Sequence, residues 1–346
     1  MLLKEDELRR HEHNTVRENV GYYDFTHQLL EVRGKDAADF LDMIFVNSIK
    51  KTKIGNAKYT TMLNPEGGIM DDVIVFRMDE DVFHISTLYI NELIEWLDIN
   101  KKEYEVFYRD VTDEYKMYAV QGPKSRTLLN RVLSEPVDSL GFYSIVENSI
   151  GDTFVYVARS GFTGELGYEI YCAPSAAEAV EETLAANGID LGLRKITTDV
   201  IIGSLPREKG YVLMQDVGGA NPHEVGFGWT VAKDKDYIGK NATDRLVKEG
   251  TTRSLLGFEL LEDREVELGS KVFVDGIEVG KVTSFTYGYT AEKYIGYSLV
   301  ENPASVGDTA EIGDIYRAGG SCGESGTDDE QKTGKVICIA VWKRIG

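Results

Sequence analysis

Two adjacent carboxylates, Asp71 and Asp72, follow the turn Asn64–Gly68. Asn, Pro and Gly favour turns, and the segments on either side, Tyr59–Leu63 and Val73–Phe76, are rich in β-branched and aromatic residues. This pattern predicts a β-hairpin with the two carboxylates at its mouth. Neighbouring strand residues point to opposite faces, so one carboxylate should face water and the other should face inward or into a cleft. The pair either caps the hairpin or supplies a catalytic carboxylate to a pocket.

A second segment with chemical potential runs from Arg159 to Glu169, with the sequence RSGFTGELGYE. Its glycines could let the backbone approach a ligand closely. Phe162 offers a ring for stacking, and Glu169 places a carboxylate on the strand that follows. The alternative is a tight loop with surface acids. The segment Asn221–Trp229, polar and then aromatic, leaves the same two possibilities open.

Three well-known motifs are absent from the sequence. It contains no phosphate-binding G-x-x-x-x-G-K-[ST], no dinucleotide G-x-G-x-x-G between a strand and a helix, and no H-E-x-x-H. His11 and His13 alternate in a charged helix expected within residues 1–20, and we expect both to be solvated. The three cysteines form no C-x-x-C pair, which indicates neither a zinc site nor a disulfide framework and fits a reducing compartment.

The charge of the 346-residue chain limits its partners. The formal net charge is −20 and the isoelectric point is near 4.7, which argues against nucleic acid and anionic membranes as main partners. No apolar run is long enough to span a membrane, and the charged N-terminus does not resemble a signal peptide. We therefore expect a cytoplasmic protein with enough length for two or three domains.

The order of predicted elements indicates an α+β fold. Residues 29–110 read as β-α-β-β-α-β, which is typical of a ferredoxin-like unit. Strands and helices continue from Lys116, and the chain from Thr252 onward consists of short strands and turns. Asp275-Gly276 is a strong hairpin signal in this last part. The polar, Gly-rich segment from Gly319 to Gly334 predicts a mobile loop.

Five segments, taken in order, resemble the glycine-cleavage T-protein (aminomethyltransferase) family. They are Gly21–His27, Tyr59–Phe76, Ala119–Pro123, Arg159–Glu169 and Asn221–Trp229. The resemblance implies a three-domain cloverleaf with a ferredoxin-like unit, a C-terminal small β-barrel or jelly-roll-like module, and tetrahydrofolate in a central hole. The implied domains are residues 1–28 with 115–205, residues 29–114 with 206–248, and residues 249–346.

The resemblance also assigns roles to individual residues. Asp72 matches the family's essential carboxylate beside the folate nitrogens, and Tyr59 matches a pocket tyrosine. Glu169 matches the carboxylate that binds the pterin, while Phe162 falls where the family often has tyrosine. Arg194 matches the arginine of a family motif, which implies that it binds the folate. A buried carboxylate can accept the forked N–H donors of a pterin, and a second one can hold a proton or stabilise positive charge.

The implied function is transfer of an aminomethyl, methyl or methylene group onto tetrahydrofolate. The implied partners are a small-molecule one-carbon donor or a lipoyl carrier protein, with a further protein subunit possible. Two alternatives remain: a tetrahydrofolate-dependent demethylase of a methoxy, methylthio or methylamine compound, and a non-catalytic folate-binding subunit or assembly factor. Pro206 and Glu267 stand where the family is expected to have arginine, so contacts with the substrate should differ from those of relatives.

Overall fold

The described strands form three sheets. The computed structural model describes residues 2–301, 305–313 and 338–343 of the chain. Within them lie a six-stranded sheet, a five-stranded sheet and a closed barrel of six strands. The predicted α+β class with a C-terminal barrel is therefore confirmed, whereas the loop predicted between Gly319 and Gly334 lies outside the described residues. None of the helices in the described part of the chain has the length and apolar character needed to cross a membrane.

The N-terminal part of the chain builds the five-stranded sheet. The elements of this part of the chain are α1 (Glu7–Glu18), β1 (Gly21–Asp24), β2 (Gln28–Arg33), α2 (Ala37–Ile44), β3 (Asn56–Leu63), β4 (Ile69–Asp79), β5 (Val82–Thr87), α3 (Ile90–Asn100) and β6 (Phe107–Asp110). Strands β2 to β6 form the sheet. The strand order is β3-β4-β5-β2-β6, and all neighbours are antiparallel. The sheet has one strand more than β-α-β-β-α-β because the predicted hairpin contributes two strands, β3 and β4, ahead of β5.

The six-stranded sheet combines β1 with strands from later in the chain. The elements that follow are β7 (Lys116–Gln121), α4 (Ser125–Val132), β8 (Ile145–Ile150), β9 (Thr153–Ala158), β10 (Gly167–Cys172), α5 (Ala177–Gly188) and β11 (Arg194–Lys195). The strand order is β11-β1-β7-β10-β9-β8. Helices α4 and α5 cover one face, where Leu129 and Leu184 share a core with Val120 and Tyr168. The other face carries Glu169.

A connecting region follows and packs on the hairpin of the five-stranded sheet. It contains α6 (Thr198–Ile202), α7 (Ser204–Glu208), α8 (Met214–Val217) and α9 (Lys240–Glu249). The Ile69 amide donates to the Ala220 carbonyl at 2.8 Å, and Asn221 Nδ2 donates to the Gly67 carbonyl at 2.9 Å. These bonds attach residues near 220 to the hairpin, although the division into domains stays a prediction.

The C-terminal strands close into the barrel. They are β12 (Arg253–Leu260), β13 (Lys271–Val274), β14 (Ile277–Gly288), β15 (Lys293–Glu301), β16 (Thr309–Ile312) and β17 (Cys338–Lys343). Their order is β12-β15-β14-β13-β16-β17, with β17 paired back to β12. Asp275 and Gly276 both have positive φ, 51° and 75°, as a two-residue type I′ hairpin requires. The predicted hairpin is therefore confirmed.

Helix α1 is buried more deeply than the sequence suggests. His11 is exposed as expected, but His13 is fully buried and its ring lies 2.8 Å from both Ser204 Oγ and Thr290 Oγ1. The expectation that His13 is solvated was wrong, because α1 packs against α7 and the loop between β14 and β15. Polar partners on those two elements make a histidine acceptable in this core.

Candidate functional site

The two sheets pack against each other, and the candidate site lies between them. Phe76 of β4 and Tyr171 of β10 contact each other edge to face, with ring centroids 6.2 Å apart. Ala57 and Ala119, one from each sheet, belong to the same apolar core. The face of β4 that carries Phe76 also carries Asp72, because side chains on a strand alternate. The packing therefore directs Asp72 and Glu169 toward one common cleft.

Asp72 is held by a tyrosine of the neighbouring strand. Tyr59 Oη donates a hydrogen bond of 2.9 Å to Asp72 Oδ2, and Thr61 lies directly opposite Asp72 in the β3–β4 pairing. Burial raises the pKa of Asp72, while the hydrogen bond from Tyr59 opposes the increase. Asp72 is thus a carboxylate with raised proton affinity whose second oxygen, Oδ1, has no hydrogen bond from the described residues.

Asp71 points to the opposite face of β4, into the core beneath helices α2 and α3. It is 1% exposed and accepts a hydrogen bond of 2.6 Å from Thr87 Oγ1. Burial, reinforced by the neighbouring charge of Asp72, raises the pKa of Asp71 to about 7. The two carboxylates do lie on opposite faces as predicted, but neither is exposed to bulk water, since Asp72 is half-buried in the cleft.

Glu169 is the second carboxylate of the cleft. It is 5% exposed and accepts hydrogen bonds from Ser160 Oγ at 2.6 Å and Tyr171 Oη at 3.0 Å. Burial raises the pKa of Glu169, and the two hydroxyl donors oppose the increase. Both bonds end on Oε2, so Oε1 remains available to a ligand.

Tyr143 lies near both carboxylates. It has a positive φ of 56°, and its backbone bonds to both sheets, from its amide to the Arg159 carbonyl and from the Ala57 amide to its carbonyl. Burial and the nearby charges of Glu169 and Asp72 raise the pKa of the Tyr143 phenol. Nothing in the sequence signalled this residue, because its place depends on a left-handed backbone conformation that a tyrosine rarely adopts.

Aromatic rings form the walls of the cleft. Tyr59 is close to parallel with Trp229 at 6.1 Å and meets Phe227 edge to face at 5.5 Å between centroids. Phe162 packs on Tyr211 at 5.6 Å. Trp229 is 69% exposed, so its ring stands at the mouth of the cleft. Flat, partly apolar surfaces of this kind suit a planar ligand.

The glycines near Phe162 serve packing within the protein. A Cβ on Gly161 or on Gly167 would lie 2.1 Å from the Gln121 side chain, which fills the space between them. Gln121 Nε2 donates to the Ser160 carbonyl at 3.1 Å, and Gln121 Oε1 accepts from Thr163 Oγ1 at 2.8 Å. In this structure the absence of side chains at these glycines admits Gln121, which fixes the loop that carries Ser160.

Two buried hydroxyls beside the carboxylates have no hydrogen-bond partner among the described residues. Tyr23 Oη lies on the same sheet face as Glu169, because both residues pair with Ala119 of β7, and burial together with the nearby Glu169 charge raises its pKa. Thr61 Oγ1 belongs to the residue opposite Asp72. Buried polar atoms are nearly always paired, so these two hydroxyls are exceptions that lie beside the candidate site.

The structure brings together four of the five residues that the resemblance assigned. Tyr59 bonds Asp72, the buried Tyr143 lies within range of the charges of Asp72 and Glu169, and Phe162 packs on Tyr211. It does not bring Arg194 to this group, since Arg194 is exposed on the edge strand β11. Sequence reasoning missed Tyr143, which lies where the two sheets meet, and Tyr23, which strand pairing through β7 places beside Glu169. It also missed Tyr171, although Tyr171 lies two residues after Glu169 on one strand, a spacing that strand alternation could have signalled.

Two opposed carboxylates and orphan hydroxyls between aromatic walls define a protein that binds a planar, hydrogen-bonding ligand between two α+β layers. Residues 5–235 match the GCVT N-terminal domain, and residues 253–317 match the glycine cleavage T-protein C-terminal barrel domain. The chain therefore belongs to the glycine cleavage T-protein family, as its sequence predicted.

Relatives at about one-third identity cover most of the chain. The aminomethyltransferase of Thermotoga neapolitana is 34% identical over 309 residues, which are 86% of this chain and 83% of that protein. The aminomethyltransferase of Halothermothrix orenii is 33% identical over 308 residues, 87% of this chain and 86% of the relative. The glycine cleavage system aminomethyltransferase T from Bartonella henselae has the same fold, with a TM-score of 0.82 at 23% identity over 96% of this chain and 88% of that one.

Proposed function

We propose that this protein is a tetrahydrofolate-dependent one-carbon transferase of the aminomethyltransferase type. The observation that carries the proposal is the pair of carboxylates, Asp72 and Glu169, that face one cleft from two sheets and keep an oxygen atom free for a ligand. Relatives that match more than four-fifths of the chain are named aminomethyltransferases, which supports the same activity.

The cleft residues fit the chemistry of a reduced folate. Glu169 Oε1 would accept N–H groups from the pterin ring in charge-assisted hydrogen bonds. The unpartnered Tyr23 hydroxyl beside it would gain a partner. Tyr59, Phe162 and Trp229 would cover the flat faces of the ligand. Tetrahydrofolate, when bound, supplies the nitrogen nucleophile that accepts the one-carbon unit.

Asp72 is the proposed catalytic carboxylate. Burial raises its pKa, so it can hold a proton or release one to a donor group more readily than an exposed aspartate, and its charge stabilises positive charge that develops nearby. Tyr59 orients the carboxylate through Oδ2 and leaves Oδ1 directed to the reacting atoms. Arg194 is not required by this arrangement, and the role that the resemblance gave it stays a prediction.

We also propose that the one-carbon donor is an aminomethyl group on a lipoyl carrier protein. The relatives' name denotes aminomethyl transfer, and the exposed Trp229 ring places an apolar surface at the mouth of the cleft, where a flexible lipoyl arm would enter. The small-molecule donors of the demethylase alternative, and a cytoplasmic location, also stay predictions.

Turnover and binding measured together test this function. The purified protein is titrated with tetrahydrofolate by calorimetry under anaerobic conditions, and is then assayed with aminomethyl-lipoyl carrier protein and with methylated amines as donors. Saturable folate binding with release of ammonia from the carrier supports the proposal. Folate binding with turnover of methylated amines alone would indicate the demethylase, and folate binding without turnover would indicate a non-catalytic subunit. Failure to bind tetrahydrofolate would refute the assignment.

A further inference from the structure

A histidine, His27, lies in the segment that joins the two sheets, between β1 and β2. Its ring meets Phe25 edge to face with centroids 4.1 Å apart, and Phe25 packs in turn on Tyr23 at 5.1 Å. Tyr23 belongs to the sheet face that carries Glu169. On its other side, His27 Nδ1 lies 3.2 Å from Ser86 Oγ of β5. The imidazole therefore connects a row of aromatic rings beside Glu169 with the five-stranded sheet.

The strand register places Ser86 beside Asp72. Tyr59 of β3 and Ser86 of β5 both pair with Ile74, one from each side of β4. Ile74 and Asp72 are two residues apart on this strand, so their side chains share the face that opens on the cleft. Tyr59 and Ser86 are therefore the two diagonal neighbours of Asp72, at a distance that side chains can span. Tyr59 bonds Asp72 from one side at 2.9 Å. The Ser86–His27 pair occupies the other side.

His27 determines what the Ser86 hydroxyl can offer to a ligand. Burial lowers the pKa of His27 to about 4, so the imidazole is neutral at physiological pH and has one N–H donor and one acceptor nitrogen. Ser86 is 9% exposed, and within the described residues its hydroxyl bonds only to His27. If Ser86 donates its hydrogen to Nδ1, only the oxygen lone pairs remain for a ligand.

We propose that Ser86 donates its hydrogen to His27 Nδ1 and acts on the ligand as an acceptor only, which makes the pair selective for the oxidation state of a folate ring. This inference rests on the proposed function, in which the folate nitrogen that accepts the one-carbon unit reacts beside Asp72. His27 is a positioning residue in this arrangement, because it acts on the ligand through Ser86.

The selectivity follows from the chemistry of the folate nitrogen N5. In tetrahydrofolate N5 carries a hydrogen, which the Ser86 oxygen can accept. In 7,8-dihydrofolate N5 forms a double bond to C6 and presents a lone pair instead, which would face the lone pairs of Ser86. The pair therefore favours the reduced ring, whose N5 can act as the nucleophile, and disfavours the oxidised ring.

Two ligands that differ only at N5 and C6 test this selectivity. The full-length protein is titrated by calorimetry under anaerobic conditions with tetrahydrofolate and with 7,8-dihydrofolate, and the ratio of the two affinities is measured. The wild type should prefer tetrahydrofolate by at least about 3-fold, as expected for one hydrogen bond between uncharged groups. Equal affinity for the two ligands, or tighter binding of dihydrofolate, would overturn the proposal.

Variants of the pair should change this ratio in different ways. Ser86→Ala removes the acceptor and should lower the ratio about 3- to 10-fold, mainly through weaker binding of tetrahydrofolate. His27→Leu frees the Ser86 hydroxyl to turn and donate to N5 of dihydrofolate, so dihydrofolate should bind more tightly and the ratio should fall at least about 3-fold. His27→Asn offers an amide oxygen that accepts from Ser86 and should keep a ratio close to that of the wild type. His11→Leu, at an exposed histidine of α1, is the matched control and should leave both affinities unchanged.

The ratio separates this role from a purely structural one. If His27 served only packing, His27→Leu would weaken both ligands in parallel and the ratio would stay constant, which would refute the selectivity and leave the proposed function intact. If the folded wild type bound neither ligand, the proposed function itself would fail, and this inference with it. Thermal unfolding of each ligand-free variant monitors folding.

Discussion

Glu169→Gln is the substitution that most directly tests the folate-binding half of the cleft. The wild-type carboxylate accepts Ser160 Oγ and Tyr171 Oη through Oε2 and offers Oε1 to the ligand. An amide has a single acceptor oxygen. If the amide oxygen keeps the hydrogen bonds from Ser160 and Tyr171, the NH2 group faces the cleft and meets the N–H donors of the pterin. If the amide oxygen faces the cleft instead, the negative charge that attracts those donors is still lost.

The expected size of the effect follows from one charge-assisted hydrogen bond. Such a bond contributes about 1.5–3 kcal/mol, which corresponds to a loss of folate affinity of about 10- to 150-fold. Glutamine is preferable to alanine, because Glu169→Ala would leave the Ser160 and Tyr171 hydroxyls buried without an acceptor. That would cost about 1–3 kcal/mol for each group and would mix a folding defect with a binding defect.

Calorimetric titration with tetrahydrofolate measures the affinity, and thermal unfolding of the ligand-free proteins monitors folding. The matched control is Glu147→Gln, since Glu147 is an exposed acid on β8 of the same sheet. We expect the control to bind as the wild type does. If Glu169→Gln binds tetrahydrofolate within threefold of the wild type while remaining folded, Glu169 does not anchor the ligand and the proposed orientation fails.

Three further changes test the rest of the cleft. Asp72→Asn should lower turnover by about 10²- to 10⁴-fold while folate affinity stays within a few-fold of the wild type. The control Asp79→Asn, at the exposed end of the same strand, should leave the rate unchanged. Equal rates in the two variants would remove Asp72 from the mechanism. Tyr143→Phe keeps the ring and removes the hydroxyl near the two carboxylates, so the pH dependence of turnover should shift, and an unchanged profile would make Tyr143 only a packing residue. Asp71→Asn should gain about 2 kcal/mol of stability relative to the wild type between pH 5.5 and pH 8, measured by urea unfolding, and a difference independent of pH would contradict the raised pKa of Asp71.

The sign of the last effect follows from the direction of the shift. Folding raises the pKa of Asp71 from 3.8 to about 7, so the native state holds a proton that the unfolded chain has released. The resulting stabilisation is complete below about pH 4 and is lost as the pH rises through 7. Asparagine stays neutral throughout. A lower limit of pH 5.5 keeps the protein away from its isoelectric point near 4.7.

Local patterns were sufficient to predict the elements that carry the carboxylates. The turn Asn64–Gly68 between two β-rich segments correctly predicted the β3–β4 hairpin, and the pair Asp275-Gly276 correctly predicted the β13–β14 hairpin. Alternation along a strand then correctly placed Asp71 and Asp72 on opposite faces. The resemblance added the likeness of Asp72 and Glu169 to a folate site, which spacing alone could not supply.

Long-range packing determined what the sequence did not predict. His13 is buried because α1 lies against elements nearly 200 and nearly 280 residues away, and its polar partners are known only from the folded chain. Tyr23 lies beside Glu169 because β1 and β10 both pair with β7, and Tyr143 enters through a left-handed backbone conformation. No periodic pattern in the sequence predicts these contacts, because each depends on which strands pair and which sheet faces pack together.

The adjacent pair Asp71 and Asp72 shows how one strand can supply two carboxylates with different proton affinities. Asp71 is enclosed in the core and is bonded by Thr87, while Asp72 opens on the cleft and is bonded by Tyr59. While Asp71 is protonated, it adds no negative charge behind Asp72. Once the pH passes about 7 and Asp71 ionises, its charge favours protonation of Asp72 across the backbone. The protonation of the cleft carboxylate is therefore coupled to a group that no ligand touches, and Asp71→Asn would separate the two titrations.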